Sequence, residues 1–168
     1  MRRLMAGLML LAAAPLAAAA DGQLGVWAGR SSDSPETDVA RLNYRRSLDG
    51  EARAWWWPQQ MQLGVGAWSI PGSGGRSQRF DASVTPIWRR ENSFGYIEGG
   101  IGVYLLSKTV NNETTRLPSS LEFGSHVGVG MSFNQVNVGL AFQHISNAGI
   151  KEPNGGINLY FLTVSLPL

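Results

Sequence analysis

The sequence predicts an all-β protein, an eight-stranded antiparallel β-barrel of the outer-membrane type. Three observations carry that prediction. Runs of about ten residues with period-two alternation recur along the chain, near the length a tilted membrane-crossing strand needs. Breaks rich in Gly and Asn separate those runs. Beyond residue 20 no stretch is apolar for long enough to cross a bilayer as a helix, so only strands closed into a barrel would satisfy the backbone in lipid.

Taken in order, the chain opens with Met1-Arg2-Arg3, an apolar run from Leu4 to Ala14, and Ala18-Ala19-Ala20. A positive start, a short apolar run and a small-residue cleavage site describe a secretory signal peptide over residues 1–20, leaving 21–168 as one barrel domain. With Arg2 and Arg3 set aside, the formal charge of +2 falls close to zero, which gives no footing for nucleic-acid binding. The absence of cysteine excludes a small disulfide-stapled domain.

The expected strands are 23–30, 37–46, 60–69, 79–89, 94–106, 120–133, 135–146 and 157–166, with a short helical turn over 52–57 ahead of Pro58. Alternation is cleanest late in the chain. Ile97, Ile101, Val103 and Leu105 share one parity, and Tyr96, Glu98, Gly100, Gly102 and Tyr104 the other. In the next strand Leu121, Phe123, Val127, Val129, Met131 and Phe133 oppose Glu122, Gly124, His126, Gly128, Gly130 and Ser132. One face suits lipid, and the other is polar or very small, as the interior of a narrow barrel requires. A soluble sandwich or lipocalin-like barrel would turn the apolar face inward instead. Against it stand the scarcity of charge in the late strands and the set Trp27, Trp55, Trp56, Trp57, Trp68, Trp88 and Tyr160, read as interface belts. Thr85-Pro86-Ile87 fits a ladder poorly, because proline has no N–H to donate.

Chemistry concentrates at the end of the seventh strand. Val136, Val138, Leu140 and Phe142 set the lipid-facing parity, and the next two members of that file are His144 and Ser146. Neither belongs in hydrocarbon for packing reasons, since burying an unpartnered polar group costs a few kcal/mol. The connection 147–156 makes the last two strands a hairpin, and a register placing Asn158 opposite His144 would gather Ser146, His144 and Asn158. Serine beside histidine is the nucleophile–base pair of acyl transfer, and an asparagine can orient the ring through its other nitrogen. A His-x-Ser spacing alone is a weak signal, equally read as a polar rim.

The stretch from His144 through Ser146-Asn147-Ala148-Gly149 and Pro153-Asn154-Gly155-Gly156 to Ile157 closely resembles the signature of the lipid A 3-O-deacylase (PagL-like) family. Ser119–Phe123 and Glu98–Val103 are similar as well. The resemblance implies an integral barrel of the bacterial outer membrane that removes the acyl chain ester-linked at position 3 of lipid A, the glycolipid of lipopolysaccharide, at a site on its outer, lipid-facing surface. It implies Ser146 as nucleophile and His144 as base. It further implies Asn154 and the Gly149 N–H as the oxyanion-binding set, with Asn147 in support. The family's third member is a glutamate fourteen residues after the histidine, and here that position is Asn158. Asn158 either orients His144 as a neutral partner, or the chain is a catalytically impaired or non-enzymatic lipid-binding barrel. Water is the second substrate, so no cofactor is required. A homodimer stays open.

Elsewhere the plainer readings dominate. His126 and Glu122 belong to an interior polar network, and Glu98 can pair with Arg41, Arg45, Arg79 or Arg89 inside the lumen or at its ends. Arg45-Arg46, Arg53, Arg89-Arg90 and Lys151 are candidates for lipid phosphates or for a solvated rim. Trp55-Trp56-Trp57 reads as an interface anchor, and Gly72–Gly75 as a flexible turn. No His/Cys/carboxylate spacing suggests a metal.

Overall fold

The structure, a computed structural model, describes residues 22–48, 56–111 and 116–168. The expected signal peptide and Arg53 lie outside the described residues, as does most of the expected turn at 52–57; Trp56 and Trp57 sit in a turn. Eight strands close a barrel: β1 (Gly22–Ser31), β2 (Asp38–Ser47), β3 (Gln60–Gly72), β4 (Gly75–Glu91), β5 (Gly95–Leu106), β8 (Leu121–Phe133), β9 (Val136–Ser146) and β10 (Ile157–Pro167). Between β5 and β8 a two-stranded ribbon, β6 (Val110–Asn111) with β7 (Arg116–Leu117), stands apart from the wall. Neighbouring wall strands are antiparallel throughout, and β1 closes against β10.

Parity sorts the side chains as alternation demands. Ile97, Ile101, Val103, Leu105, Val127, Val129, Met131 and Leu140 are exposed on the outer wall, while Glu98, Tyr104, Glu122 and His126 are buried inside. The interior glycines make room for the few large inward rings: a Cβ at Gly124 would strike Tyr104, and one at Gly130 would strike Tyr96. At Pro86 the register toward β5 is unbroken, yet the pairing lapses between Val84 and Ile87. The missing N–H costs a local stretch of ladder without ending the strand.

Two details differ from the sequence reading. The Gly72–Gly75 turn is a tight hairpin, with Gly72 paired to Gly75 and β4 running 17 residues. Here the hairpin carries polar side chains on both faces, so alternation is silent: Arg76 donates to Ser69 Oγ at 2.8 Å and to Asp38 Oδ2 at 2.7 Å. Trp27 and Trp68 do not belong to an interface belt, because both point inward and are buried. His126 and Glu122 both lie inside, as their parity predicts: His126 faces Glu98, with 4.0 Å between Nε2 and Oε1, and Glu122 Oε1 accepts the Ser119 N–H.

The lumen is filled in two zones. Toward the chain termini it is ionic: Arg45 donates to Glu98 Oε2 at 2.7 Å, and Arg89 donates to the same oxygen at 3.1 Å and to Asn137 at 3.0 Å. Midway, Arg41 joins Asp81 (3.1 Å) and Gln143 (2.8 Å). Toward the opposite mouth it is apolar, with Val39, Ile70, Leu106, Ile145, Ile157 and Leu159 closing around Val110 and Leu117 of the ribbon. That apolar plug draws the β5–β8 connection down into the barrel mouth, beside the β9–β10 loop.

Candidate active site on the outer wall

The end of β9 projects His144 and Ser146 outward while Gln143, Ile145 and Asn147 point in and are buried. The strand continues its alternation past the last apolar outward residue, Phe142, and so carries two polar groups onto the lipid-facing side near the barrel mouth. On β10, Asn158 stands directly opposite His144. His144 Nδ1 and Asn158 Oδ1 are 2.8 Å apart. An amide oxygen can only accept, so Nδ1 carries the proton and Nε2 is left with its lone pair free. Among the described residues Ser146 makes no hydrogen bond to His144. The two share one face at adjacent outward positions, and such pairs commonly tighten only with substrate present.

Gly156 shapes the far edge of the ring. Its φ is +65°, and a Cβ there would lie 2.8 Å from His144 Cε1 and 3.2 Å from Nε2. Only glycine meets both conditions. The loop between Ser146 and Gly156 is organised by Asn147, whose side chain is fully buried. Its Nδ2 donates to the Lys151 carbonyl at 2.7 Å, and its Oδ1 accepts the Gly149 N–H at 3.0 Å. Its own N–H donates to Asn154 Oδ1 at 3.2 Å, which turns the Asn154 amide so that Nδ2 remains as a donor. Glu152 caps the backbone N–H of Asn154 at 2.9 Å and takes no part in holding His144. Ala148 and Gly149, both at positive φ (54° and 80°), make the sharp bend that lets one short loop fold back on itself.

Two neighbours were not singled out from the sequence. Ser125 on β8 pairs directly with His144 from the side opposite Asn158 and is exposed in an otherwise apolar outward file. Parity alone would have found it. Arg116 lies against the loop through the Gly156 N–H, which donates to its carbonyl at 3.2 Å, and no local pattern announces that contact. Of the arginines read as phosphate candidates, Arg45 and Arg89 are buried in the lumen at the end of the barrel away from Ser146, and Arg46 and Arg90 share that end. Only Lys151 belongs to the site loop.

Membraneward of His144 the outer wall opens into an apolar groove of about 520 Å³ between β8, β9 and β10, bounded by Val127, Val129, Leu140, Phe142, Tyr160 and Leu162. The Phe142 and Tyr160 rings, 5.3 Å apart, form its upper lip.

Fold and site together define a class: a closed outer-membrane-type barrel with a polar serine–histidine–asparagine cluster on its lipid-facing wall. Within that class, residues 38–167 match the family model described as lipid A 3-O-deacylase (PagL), and the chain belongs to that family. It is 39% identical over 105 residues to the lipid A deacylase PagL of Bordetella bronchiseptica, covering 61% of this chain and 58% of that protein's length. It is 31% identical over 142 residues to the lipid A deacylase PagL of Pseudomonas aeruginosa, covering 79% of this chain and 82% of that one. Among solved structures, the crystal structure of the outer membrane enzyme PagL superposes with a TM-score of 0.68 at 28% identity, over 86% of this chain and 99% of that one. Neisserial surface protein A shares the fold at a TM-score of 0.55 and 10% identity, over 88% and 96% of the two chains.

Proposed function

We propose that this chain is an outer-membrane esterase that hydrolyses the acyl chain ester-linked at position 3 of lipid A. The observation that carries the reading is the His144–Asn158 bond of 2.8 Å on the outer wall, with Ser146 beside it, above an apolar groove. A water-soluble ester would have no reason to meet a base turned toward lipid. A lipid whose acyl chains already lie along the wall meets it directly.

In this mechanism Ser146 Oγ attacks the ester carbonyl carbon as His144 Nε2 takes its proton. The oxyanion is met by Asn154 Nδ2, and such a donor contributes about 2.7–4 kcal/mol to an acyl-transfer transition state; the Gly149 N–H, which donates to Asn147 Oδ1 at 3.0 Å at rest, joins it only by exchanging that acceptor for the oxyanion. Collapse breaks the bond to the sugar oxygen, which takes the proton back from His144. Water then repeats the cycle on the acyl-serine and releases the free fatty acid. The severed chain occupies the groove under Phe142 and Tyr160.

Asn158 in place of the family's glutamate leaves a second reading, a barrel that keeps the lipid contacts but hydrolyses slowly or not at all. Mass spectrometry of lipid A from cells expressing wild type or Ser146→Ala separates the two. Loss of one ester-linked chain with wild type alone supports the esterase. Identical lipid A from both, with the barrel folded in the membrane, refutes it.

A further inference from the structure

We propose that Arg116 determines substrate choice in this reaction by binding the phosphate monoester carried on the same sugar as the scissile ester. The inference rests on the esterase reading and names a recognition contact that reading lacks.

Three observations lead to it. First, Arg116 is built into the site. Its carbonyl accepts the Gly156 N–H at 3.2 Å, and its side-chain stem lies 3.2–3.5 Å from where a Cβ on Gly155 would be. Gly156 in turn stands beside the His144 ring, where a Cβ would fall 2.8 Å from Cε1. Second, Arg116 is anchored on the barrel side. Leu117, the next residue, is fully buried in the apolar plug with Ile145 and Ile157, the residues flanking Ser146 and Asn158 in sequence. The backbone is therefore held from two directions, while the side chain is exposed. Third, no described carboxylate pairs with it. Arg30 and Arg76 at this same end are already paired with Asp38, at 2.8 and 2.7 Å. Arg116 makes no ion pair among the described residues.

An exposed guanidinium, without an ion pair among the described residues and fixed beside a base that faces a glycolipid, has a defined chemistry. Arginine grips phosphate through two parallel N–H bonds, which orients the anion as well as attracting it. Lipid A carries a phosphate on the ring that bears the position-3 ester. Holding that phosphate at Arg116 would present the neighbouring ester carbon to Ser146 across the Gly155–Gly156 turn. The same guanidinium chemistry would also accept the phosphate of a neighbouring phospholipid, and the test separates the two sources.

The test compares wild type, Arg116→Met and Arg116→Lys in mixed micelles on two substrates: lipid A bearing that phosphate, and lipid A from which mild acid has removed it. Methionine keeps the apolar stem over Gly155 and removes the charge. Arg116→Met is expected to lower kcat/KM about 10- to 100-fold on the phosphorylated substrate, mostly through KM, and less than about twofold on the other. Arg116→Lys should recover part of the loss. Equal losses on both substrates would assign Arg116 to packing the loop and overturn the proposal, as would no loss on either. A loss that tracks anionic phospholipid in the micelle rather than the substrate's phosphate also overturns it. Wild type that cleaves neither substrate would refute the esterase itself, a distinguishable result.

Discussion

On the proposed mechanism Asn158 is the residue on which the rate turns, and the structure makes the effect of changing it calculable. As Ser146 attacks, His144 becomes an imidazolium, and the group at Nδ1 must hold a charged ring. Asn158 Oδ1 already accepts from Nδ1 at 2.8 Å, so orientation is satisfied. What a neutral amide lacks is charge, and a bond to an ionised partner is roughly twice as strong as a neutral one. The difference, about 1 kcal/mol, corresponds to about fivefold in kcat. Aspartate is isosteric with asparagine and would place a carboxylate oxygen at the same point. Asn158→Asp is therefore expected to raise kcat about fivefold with KM unchanged. Asn158→Glu gains less, because one more methylene must be folded into a gap that asparagine already spans. Asn158→Leu frees the ring and its tautomer and is expected to lower kcat by at least about 10²-fold. Fatty-acid release from lipid A micelles, followed by mass spectrometry, gives the rates, and circular dichroism checks folding. A folded Asn158→Leu with the wild-type rate would refute the triad role outright. An Asn158→Asp slower than wild type would refute the electrostatic half of the reasoning.

Two further perturbations follow from the packing. Gly156→Ala forces a Cβ to 2.8 Å from His144 Cε1 and demands a left-handed backbone of an alanine, which costs about 1–2 kcal/mol. Its melting temperature should fall modestly while kcat falls about 10²-fold, since small displacements of a reacting group carry penalties of that order; an unchanged kcat would show that the ring does not rest on this glycine. Glu98→Gln removes the carboxylate that Arg45 and Arg89 share and strands the buried Arg45, while Arg89 keeps Glu91 at 3.0 Å, a loss of about 3–5 kcal/mol visible in the urea midpoint. Hydrolysis per folded molecule should stay at the wild-type level, because that network lies inside the lumen and Ser146 faces outside.

Much of this was legible in the residues alone, for a physical reason. Side chains on a strand alternate with period two, so Val138, Leu140 and Phe142 determine where His144 and Ser146 must point. A hairpin register then puts Asn158 opposite His144, as the structure shows. The same logic extended one strand further would have reached Ser125. Period two fails where both faces are polar or both apolar. Strand β4 runs on into the Gly75 hairpin unseen, because Arg76 and Gln78 are exposed with no apolar partner file. Tryptophan suits both an interface belt and a barrel interior, and nothing local separates the two, so the burial of Trp27 and Trp68 is invisible in the sequence. The placement of Arg116 depends on Leu117 and Val110 burying themselves against Ile145 and Ile157, contacts between distant parts of the chain that no local pattern encodes. The misplaced phosphate candidates Arg45 and Arg89 show the same limit, because a charge count does not say which end of a barrel a residue occupies.

The plugged lumen has a consequence for how such a catalyst is governed. The void lined by Gln23, Arg45, Tyr96 and Glu98 inside the lumen measures about 10 Å³, and the candidate site lies on the outer wall. On the proposed function, substrate arrives by lateral diffusion in one leaflet, and the released fatty acid stays in it. The quantity that sets turnover is then the mole fraction of glycolipid beside β8, β9 and β10, not any concentration in water. Whatever crowds that stretch of perimeter, a tightly packed lipid or a neighbouring protein, acts as an inhibitor without ever touching the catalytic groups.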